Sequence, residues 1–158
     1  MARILCILLL LLAMGCGHKP AYEGKSVAQL EGMLKEADAD AQAQAAFGLS
    51  LHGPDAAKAL PALVDALASP HVLVRQNSAL ALGRIGTAAH AAVPALTDAL
   101  RDTEWTVRRQ AAMALGDIGP DAVAAAPTLQ RLTKDPDRLV RKAAQEALTK
   151  VRGPAPNK

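Results

Sequence analysis

One string of residues recurs along the chain at a fixed spacing of 33 residues. VRQNSALALGRIG covers 74–86, VRRQAAMALGDIG covers 107–119 and VRKAAQEALTKVR covers 140–152. The blocks 54–86 and 87–119 are identical at 16 of their 33 positions. Self-similarity at one period is typical of arrays of small supersecondary units, each too small to bury its own apolar face. The repeat therefore predicts a stack of such units.

Composition and apolar spacing predict that each unit is helical. Aromatic residues make up only 2% of the chain, and the 51% hydrophobic share comes chiefly from alanine and leucine. The second half of a unit has apolar residues at helical spacing, as in Val74, Leu82 and Ile85, and the first half carries PAL-x-DAL at 61–67 and 94–100. We expect an all-α fold, an α-solenoid of about four helical hairpins with a 33-residue period.

Capping and turn residues predict where the helices begin. Ser26 with Gln29 three residues later is a capping-box signature and predicts the start of the first helix. In the later units a side-chain oxygen at the turn predicts a cap for the second helix. These helices are expected to begin at about Pro70, Thr103 and Pro136.

Glycines occupy two kinds of position. Gly53, Gly86 and Gly119 close three units, where a left-handed backbone would end a helix. Gly83 and Gly116 lie inside second helices, where glycine costs up to about 1 kcal/mol relative to alanine. Their position predicts an unusually close approach of a neighbouring helix.

The first sixteen residues resemble a bacterial lipoprotein signal. A positively charged start with Arg3 is followed by ILCILLLLLA at 4–13, which is too short to span a bilayer and typical of a signal-peptide core. The run ends in a small residue directly before Cys16. The resemblance implies cleavage before Cys16 and acylation of its sulfur and new amino group. The sequence departs from the usual signal at Ala13, where most such signals carry leucine. The alternatives to a lipoprotein signal are an ordinary signal peptide and an uncleaved anchor.

The lipoprotein resemblance sets the expected organisation and location. Cys6 would be removed with the signal, so the mature chain would have one cysteine, which is acylated. Acyl chains bury CH₂ groups at about 0.8 kcal/mol each, so triacylation would make attachment permanent. We expect lipid anchoring in the bacterial cell envelope facing the periplasm, in the outer membrane rather than the inner. The expected domains are a signal peptide at 1–15, a lipidated tether at 16–24, a solenoid at 25–152 and a disordered tail at 153–158.

The repeated string VR-x-x-AA-x-ALG-x-IG, preceded by A-V-P-AL-x-x-AL-x-D, resembles the short HEAT repeat, in the subtype also found in phycobilin lyases. The resemblance covers residues 21–152. It implies helix pairs stacked into a right-handed superhelix whose second helices line the concave side. It also implies that an aspartate at each turn bonds an arginine six residues later, within the repeat or in its neighbour. The implied structural ladder consists of Arg75, Asp102, Arg108, Asp135 and Arg141.

The same geometry predicts a binding groove. Side chains of the second helices that point away from the core would form an apolar stripe, unless that stripe is buried between stacked helices. Trp105, the only tryptophan, is a candidate interface anchor. The predicted groove residues are Phe47, Gln76, Asn77, Leu80, Trp105, Arg109, Gln110, Met113 and Lys142.

No residue pattern indicates catalysis. The four histidines lack zinc-ligand spacing. Asp65 and Asp98 recur at the repeat period like a carboxylate pair, but Arg131 replaces them in the last unit, which favours a solvated face. The net charge of +3 gives no case for nucleic acid. We therefore expect no enzyme, no metal and no cofactor.

The resulting hypothesis is a membrane-anchored HEAT-repeat lipoprotein that acts as a non-catalytic scaffold for a protein or peptide in the cell envelope. One alternative is a lyase-like or enzyme-accessory HEAT-repeat subunit, by family analogy alone. The other is an architectural spacer in an envelope complex.

Overall fold

The computed structural model describes residues 19–153, and within that range the chain forms α-helices and 3₁₀ segments without a strand. The predicted all-α solenoid is confirmed. The predicted signal peptide, Cys16 and residues 154–158 of the predicted tail lie outside the described residues. The helices are α1 (Val27–Leu34), α2 (Ala39–His52), α3 (Leu60–Ala66), α4 (Val72–Ile85), α5 (Val93–Ala99), α6 (Trp105–Ile118), α7 (Ala126–Leu132) and α8 (Arg138–Arg152).

The helices form four pairs in two layers. We number the pairs α1/α2 to α7/α8 as repeats 1 to 4. A 3₁₀ segment precedes the first helix of each later repeat, at Gly53–Ala59, Gly86–Ala92 and Gly119–Ala125. Leucines at the repeat period fill the core between the layers and are at least 90% buried. They are Leu30, Leu63, Leu96 and Leu129 from the first helices and Leu49, Leu82, Leu115 and Leu148 from the second helices.

Three glycines bend the chain between repeats. Gly53, Gly86 and Gly119 have φ of 55°, 73° and 83°, as the helix-closing role requires, but ψ lies between −130° and −143°. This conformation mirrors the extended region and differs from the left-handed helical one that we expected. A Cβ at Gly86 would meet nothing within 4 Å, so the positive φ alone explains the glycine.

The bend at Gly86 lies inside one long helical run, Val72–Ala99. By length and composition this run could cross a membrane, but half of its most apolar window is buried inside the solenoid. Its apolar residues serve the contacts between layers and between repeats.

The interior glycines bring the second helices into close contact. A Cβ on Gly83 would lie 3.0 Å from the Ala114 Cα, and a Cβ on Gly116 would lie 3.0 Å from the Ala147 Cα. The neighbour in both cases is backbone, which cannot move aside easily. The predicted close approach is confirmed.

The second helices begin two residues later than the turn residues predict. α4, α6 and α8 start at Val72, Trp105 and Arg138. The side-chain oxygens of Ser69, Asp102 and Asp135 lie three residues before these helices. Each accepts a hydrogen bond from the amide two residues later, that of His71, Glu104 and Asp137 respectively. This side-chain turn occupies the residues that we assigned to the helix start. The capping box of Ser26 and Gln29 is confirmed.

Residues 20–25 form an N-terminal strap across repeat 1. The Ala21 amide donates a 2.6 Å hydrogen bond to Gln44 Oε1, and the Tyr22 ring packs edge-on against Phe47 with a centroid distance of 5.3 Å. Gly48 permits this contact, since a Cβ there would lie 2.6 Å from the Tyr22 Cβ. The strap covers a side of α2 that a preceding repeat covers in α4 and α6. The predicted tether at 16–24 is therefore packed on the solenoid from Ala21 onward.

Candidate binding face on the second helices

The solenoid curves toward its second helices. α4 packs on α6, and α6 on α8, through glycine and alanine, whereas a cleft of about 310 Å³ opens between the first helices of repeats 2 and 3 beside Leu67 and Ala99. Closer spacing in one layer bends a stack toward that layer. We call the side of the four second helices that faces away from the first helices, which is the concave side of the stack, the binding face.

The predicted apolar stripe is only half exposed. Phe47, Leu80 and Met113 are all of intermediate burial, Phe47 lies under the Tyr22 ring, and Met113 packs against the core. The stripe therefore combines both alternatives, since each side chain is partly packed and partly open. It provides less apolar surface than a fully exposed groove would.

The most exposed apolar side chains on the binding face are different ones. Leu51, Leu73 and Leu139 have exposed fractions of 64%, 58% and 44%, and Trp105 has 39%. Trp105 is exposed, as we expected. We missed Leu73 and Leu139 because each directly precedes a buried valine and resembles core. Their spacing of two repeat periods is the signal that would have identified them.

The polar residues of the predicted groove have separate roles. Asn77 donates from Nδ2 to the Ala43 carbonyl at 2.9 Å, which ties α4 to α2. Gln76, Arg109 and Gln110 are half-buried, and none has a salt bridge or side-chain hydrogen bond within residues 19–153. The structure therefore places Trp105, Arg109, Gln110 and Met113 together on α6, while Asn77 has a structural contact.

Two ion pairs lie on the C-terminal half of the binding face. Lys150 donates to Asp117 at 2.8 Å across repeats 3 and 4, and Lys142 lies 3.7 Å from Glu146 on α8. Exposed pairs of this kind add at most about 1 kcal/mol to stability. Their main effect is to neutralise both carboxylates.

The arginine ladder joins one repeat to the next. Arg75 donates two hydrogen bonds to the Asp102 carboxylate, at 2.7 and 3.0 Å, and a third to the Ser69 carbonyl at 2.9 Å. Arg108 repeats the arrangement with Asp135, at 2.9 and 3.0 Å. The four side chains are between 7% and 16% exposed.

Within a repeat, the arginine reaches only the backbone of its own turn. Arg108 donates to the carbonyls of Asp102 and Thr103, and Arg141 donates to those of Asp135 and Pro136. The carboxylate of Asp102 is therefore paired with Arg75 of the preceding repeat and not with the arginine of its own repeat. The ladder holds neighbouring turns in register, so its arginines are not free to bind a ligand.

The ladder also shifts the pKa values of its members. Burial raises the pKa of the Asp102 carboxyl, but hydrogen bonds from Arg75 and the Glu104 amide outweigh burial and hold that pKa below its usual value. The pKa of Asp135 is lowered in the same way by Arg108. The side-chain hydrogen bonds to these carboxylates also raise the pKa of both arginines. Both pairs are therefore charged at neutral pH.

One rung of the ladder is missing between repeats 1 and 2. Gln42 stands in the arginine position and donates to the Glu36 carbonyl at 2.6 Å, and Ser69 stands in the aspartate position. Neither side chain crosses the gap, and a cleft of about 400 Å³ opens there between Leu34 and Val74. The first repeat is therefore tied to the array more weakly than the others.

Restoring the missing rung should stabilise the protein. The double variant Gln42→Arg/Ser69→Asp should raise the free energy of unfolding by about 1–2 kcal/mol, as expected for a charge-assisted bidentate pair. Urea unfolding measures this gain. Each single variant is the control and should be neutral or destabilising, because it places one unpaired charge in the cleft. Equal stability of the double variant and the wild type would contradict this interpretation of the cleft.

The other candidate chemical groups do not converge. Asp65 and Asp98 are exposed, and residues 19–153 contain no group of three or more histidine, cysteine or acidic side chains that could hold a metal ion. The Ser78 hydroxyl is buried without a hydrogen-bond partner in this range. No base is positioned to activate it.

The geometry defines an α-solenoid with a half-apolar inner face, and comparisons identify its family. The family model described as HEAT repeats matches residues 27–116 and 93–156. The chain therefore belongs to the HEAT repeat family. No curated protein matches the chain significantly.

Solved structures show the same fold. An engineered protein from the Northeast Structural Genomics Consortium is 29% identical, with a TM-score of 0.70 over 80% of this chain and 62% of its own. A designed armadillo repeat protein in complex with the peptide (KR)4 is 19% identical, with a TM-score of 0.70 over 79% and 64%. The complex of CpcE and CpcF of phycocyanin lyase from Nostoc sp. PCC7120 is 24% identical, with a TM-score of 0.66 over 77% and 79%. The chain spans less than two thirds of the first two structures.

Proposed function

We propose that the protein is a lipid-anchored, non-catalytic scaffold of the bacterial cell envelope that binds a protein or peptide on its binding face. The observation that carries this proposal is the presence on α6 of exposed Trp105 and half-buried Met113 beside Arg109 and Gln110. Neither of these polar side chains has a salt bridge or a side-chain hydrogen bond within residues 19–153. Tryptophan and arginine are the residue types that most often dominate binding energy. Exposed Leu73 and Leu139 extend this surface into the neighbouring repeats.

A peptide complex of a similar solenoid supports this use of the fold. The designed armadillo repeat protein holds a short peptide. Its low identity to the present chain means that the likeness concerns the fold alone, so the choice of ligand must come from the side chains of this face.

The proposed lipid anchor at Cys16 would hold repeat 1 close to the bilayer. Cys16 lies five residues before Ala21, whose amide is bonded to Gln44. Five extended residues reach about 18 Å at most. We propose attachment to the outer membrane, with the array extending into the periplasm from its strap-covered end.

Two substitutions on α6 test binding directly. The double variant Arg109→Asp/Met113→Asp places negative charge where the wild type has a cation and an apolar contact at the centre of the face. The recovery of proteins that the wild type captures should therefore fall at least about tenfold. Affinity capture from envelope extracts followed by quantitative mass spectrometry measures this loss. Arg131→Asp is the control, because Arg131 is exposed on the first layer. Unchanged capture by the α6 variant would exclude this face.

Two other functions lead to different results. A lyase-like or accessory role, suggested by the likeness to the CpcE and CpcF complex of phycocyanin lyase, predicts bound pigment or enzymatic turnover. An architectural spacer predicts that substitutions on the face are silent, whereas deletion of residues 87–119 is not.

A further inference from the structure

We infer that the partner of the binding face is an extended acidic peptide segment with regularly spaced apolar residues, seated over repeats 3 and 4. This inference rests on the proposed function and adds the chemistry of the ligand. Three features of the face carry it: a row of equivalent positions that contains no acid and becomes cationic in repeats 3 and 4, acidic groups that are already paired, and exposed apolar anchors beside the cations.

The first feature is the row of positions at the centre of the face. The equivalent residues of the four second helices are Ala43, Gln76, Arg109 and Lys142. The row contains no acid, and it becomes cationic in repeats 3 and 4. Arg138, which aligns with Trp105 one repeat earlier, is exposed and adds a further positive charge beside Lys142.

The second feature is that carboxylates on this half of the face already have partners. Asp117 is paired with Lys150 and Glu146 with Lys142. Arg109 and Arg138 have no ion pair within the described residues. The unpaired charge on the binding face of α6 and α8 is therefore positive, whereas α2 carries exposed Asp40 at the position equivalent to Leu139.

The third feature is the pair of exposed apolar side chains, Trp105 and Leu139, on successive second helices. Packed helices lie about 8–10 Å apart, and an extended peptide in the polyproline II conformation advances about 3.1 Å per residue with three residues per turn. Apolar residues at every third position of such a peptide would therefore lie on the same side and meet one helix after another, and their acidic neighbours would reach Arg109 and Arg138.

This preference is opposite to that of the designed armadillo repeat protein, whose ligand is the basic peptide (KR)4. A basic ligand requires unpaired carboxylates along the inner face. Repeats 3 and 4 of the present chain provide cations instead, so like-charge repulsion would exclude such a ligand.

Fluorescence anisotropy with two synthetic peptides tests the inference. The probes are fluorescein-labelled (LEE)4 and its charge-reversed counterpart (LKK)4, added to the purified mature protein in detergent. We expect saturable binding of (LEE)4 only. The binding should weaken as NaCl rises from about 0.01 M to about 1 M, where the Debye length falls from about 30 Å to about 3 Å.

Charge variants locate the site. Arg109→Glu should weaken (LEE)4 binding about tenfold or more, and Arg109→Gln, which keeps the polar shape, should have a smaller effect in the same direction. Lys58→Glu makes the same change in net charge on the exposed 3₁₀ segment of repeat 2 and should leave affinity within about twofold. Circular dichroism establishes that each variant is folded.

The outcomes separate the ligand from the scaffold. Equal or tighter binding of (LKK)4, absence of (LEE)4 binding, or equal losses in Arg109→Glu and Lys58→Glu would each overturn the acidic-peptide inference. If a partner is nevertheless crosslinked in cells to position 106 on α6, the scaffold stands and only its ligand chemistry is wrong. If that crosslink is also absent, the proposed function fails too.

Discussion

Arg108→Met should lower the free energy of unfolding by about 3 kcal/mol, the lower end of the range for breaking a buried ion pair. The methionine keeps the apolar stem of the side chain but removes the guanidinium, so Asp135 would remain 93% buried without its bidentate partner. Guanidinium chloride unfolding measures the loss. Arg101→Met is the matched control, since Arg101 and its partner Asp98 are mostly exposed and should contribute less than about 1 kcal/mol.

The two ion pairs of the ladder predict how the free energy of unfolding depends on pH. The folded-state pKa of Asp102 and of Asp135 lies below the usual value of an aspartate because arginine hydrogen bonds favour the charged form, so each carboxylate stabilises the fold above its unfolded-state pKa. That contribution is lost as the pH falls from about 4 through the lowered folded-state pKa. Wild-type stability should therefore decrease below about pH 4, and the decrease should be smaller in Arg108→Met. Equal pH profiles, or an effect of Arg101→Met as large as that of Arg108→Met, would contradict the role of the ladder.

Gly116→Val should lower the free energy of unfolding by a similar amount, about 3 kcal/mol, through overpacking between second helices. The first carbon of the new side chain would lie 3.0 Å from the Ala147 backbone, so α6 and α8 would have to separate. Loss of that contact would weaken the ladder and repeat 4 together. Hydrogen exchange of the α8 amides measures this effect, and we expect their protection to fall far more than that of α2.

Gly32→Ala is the matched control for Gly116. Gly32 also lies inside a helix, but a Cβ there would meet nothing within 4 Å. Alanine should therefore stabilise α1 by about 0.5–1 kcal/mol through its higher helix propensity. Destabilisation of similar size at both positions would show that helix contact is not the reason for the interior glycines.

The sequence predicts the architecture well because the 33-residue period encodes it repeatedly. Each repeat places leucine in the core, glycine at the bend and glycine or alanine between second helices, and these choices are local and mutually consistent. The sequence predicts the helix starts two residues early, because Ser69, Asp102 and Asp135 form side-chain turns before the helix instead of capping it.

The candidate site was predictable only in part. Its location on the second helices follows from the repeat, but the exposure of each side chain depends on its neighbours. Phe47 is partly covered because the strap places Tyr22 upon it, and a contact between residues 25 positions apart has no local signal. Leu73 resembles a core residue by its side chain and its buried neighbour Val74, yet helix geometry directs it outward.

Site-specific photocrosslinking in intact cells tests the central claim, that the partner binds to the binding face formed by the four second helices. A photoreactive amino acid is placed at 73, 106 and 139 on the second helices and at the equally spaced control positions 58, 91 and 124 on the 3₁₀ segments. We predict crosslinks to a common partner from the second-helix set and none from the control set. Crosslinks confined to the control set, or equal yields from both sets, would contradict the account.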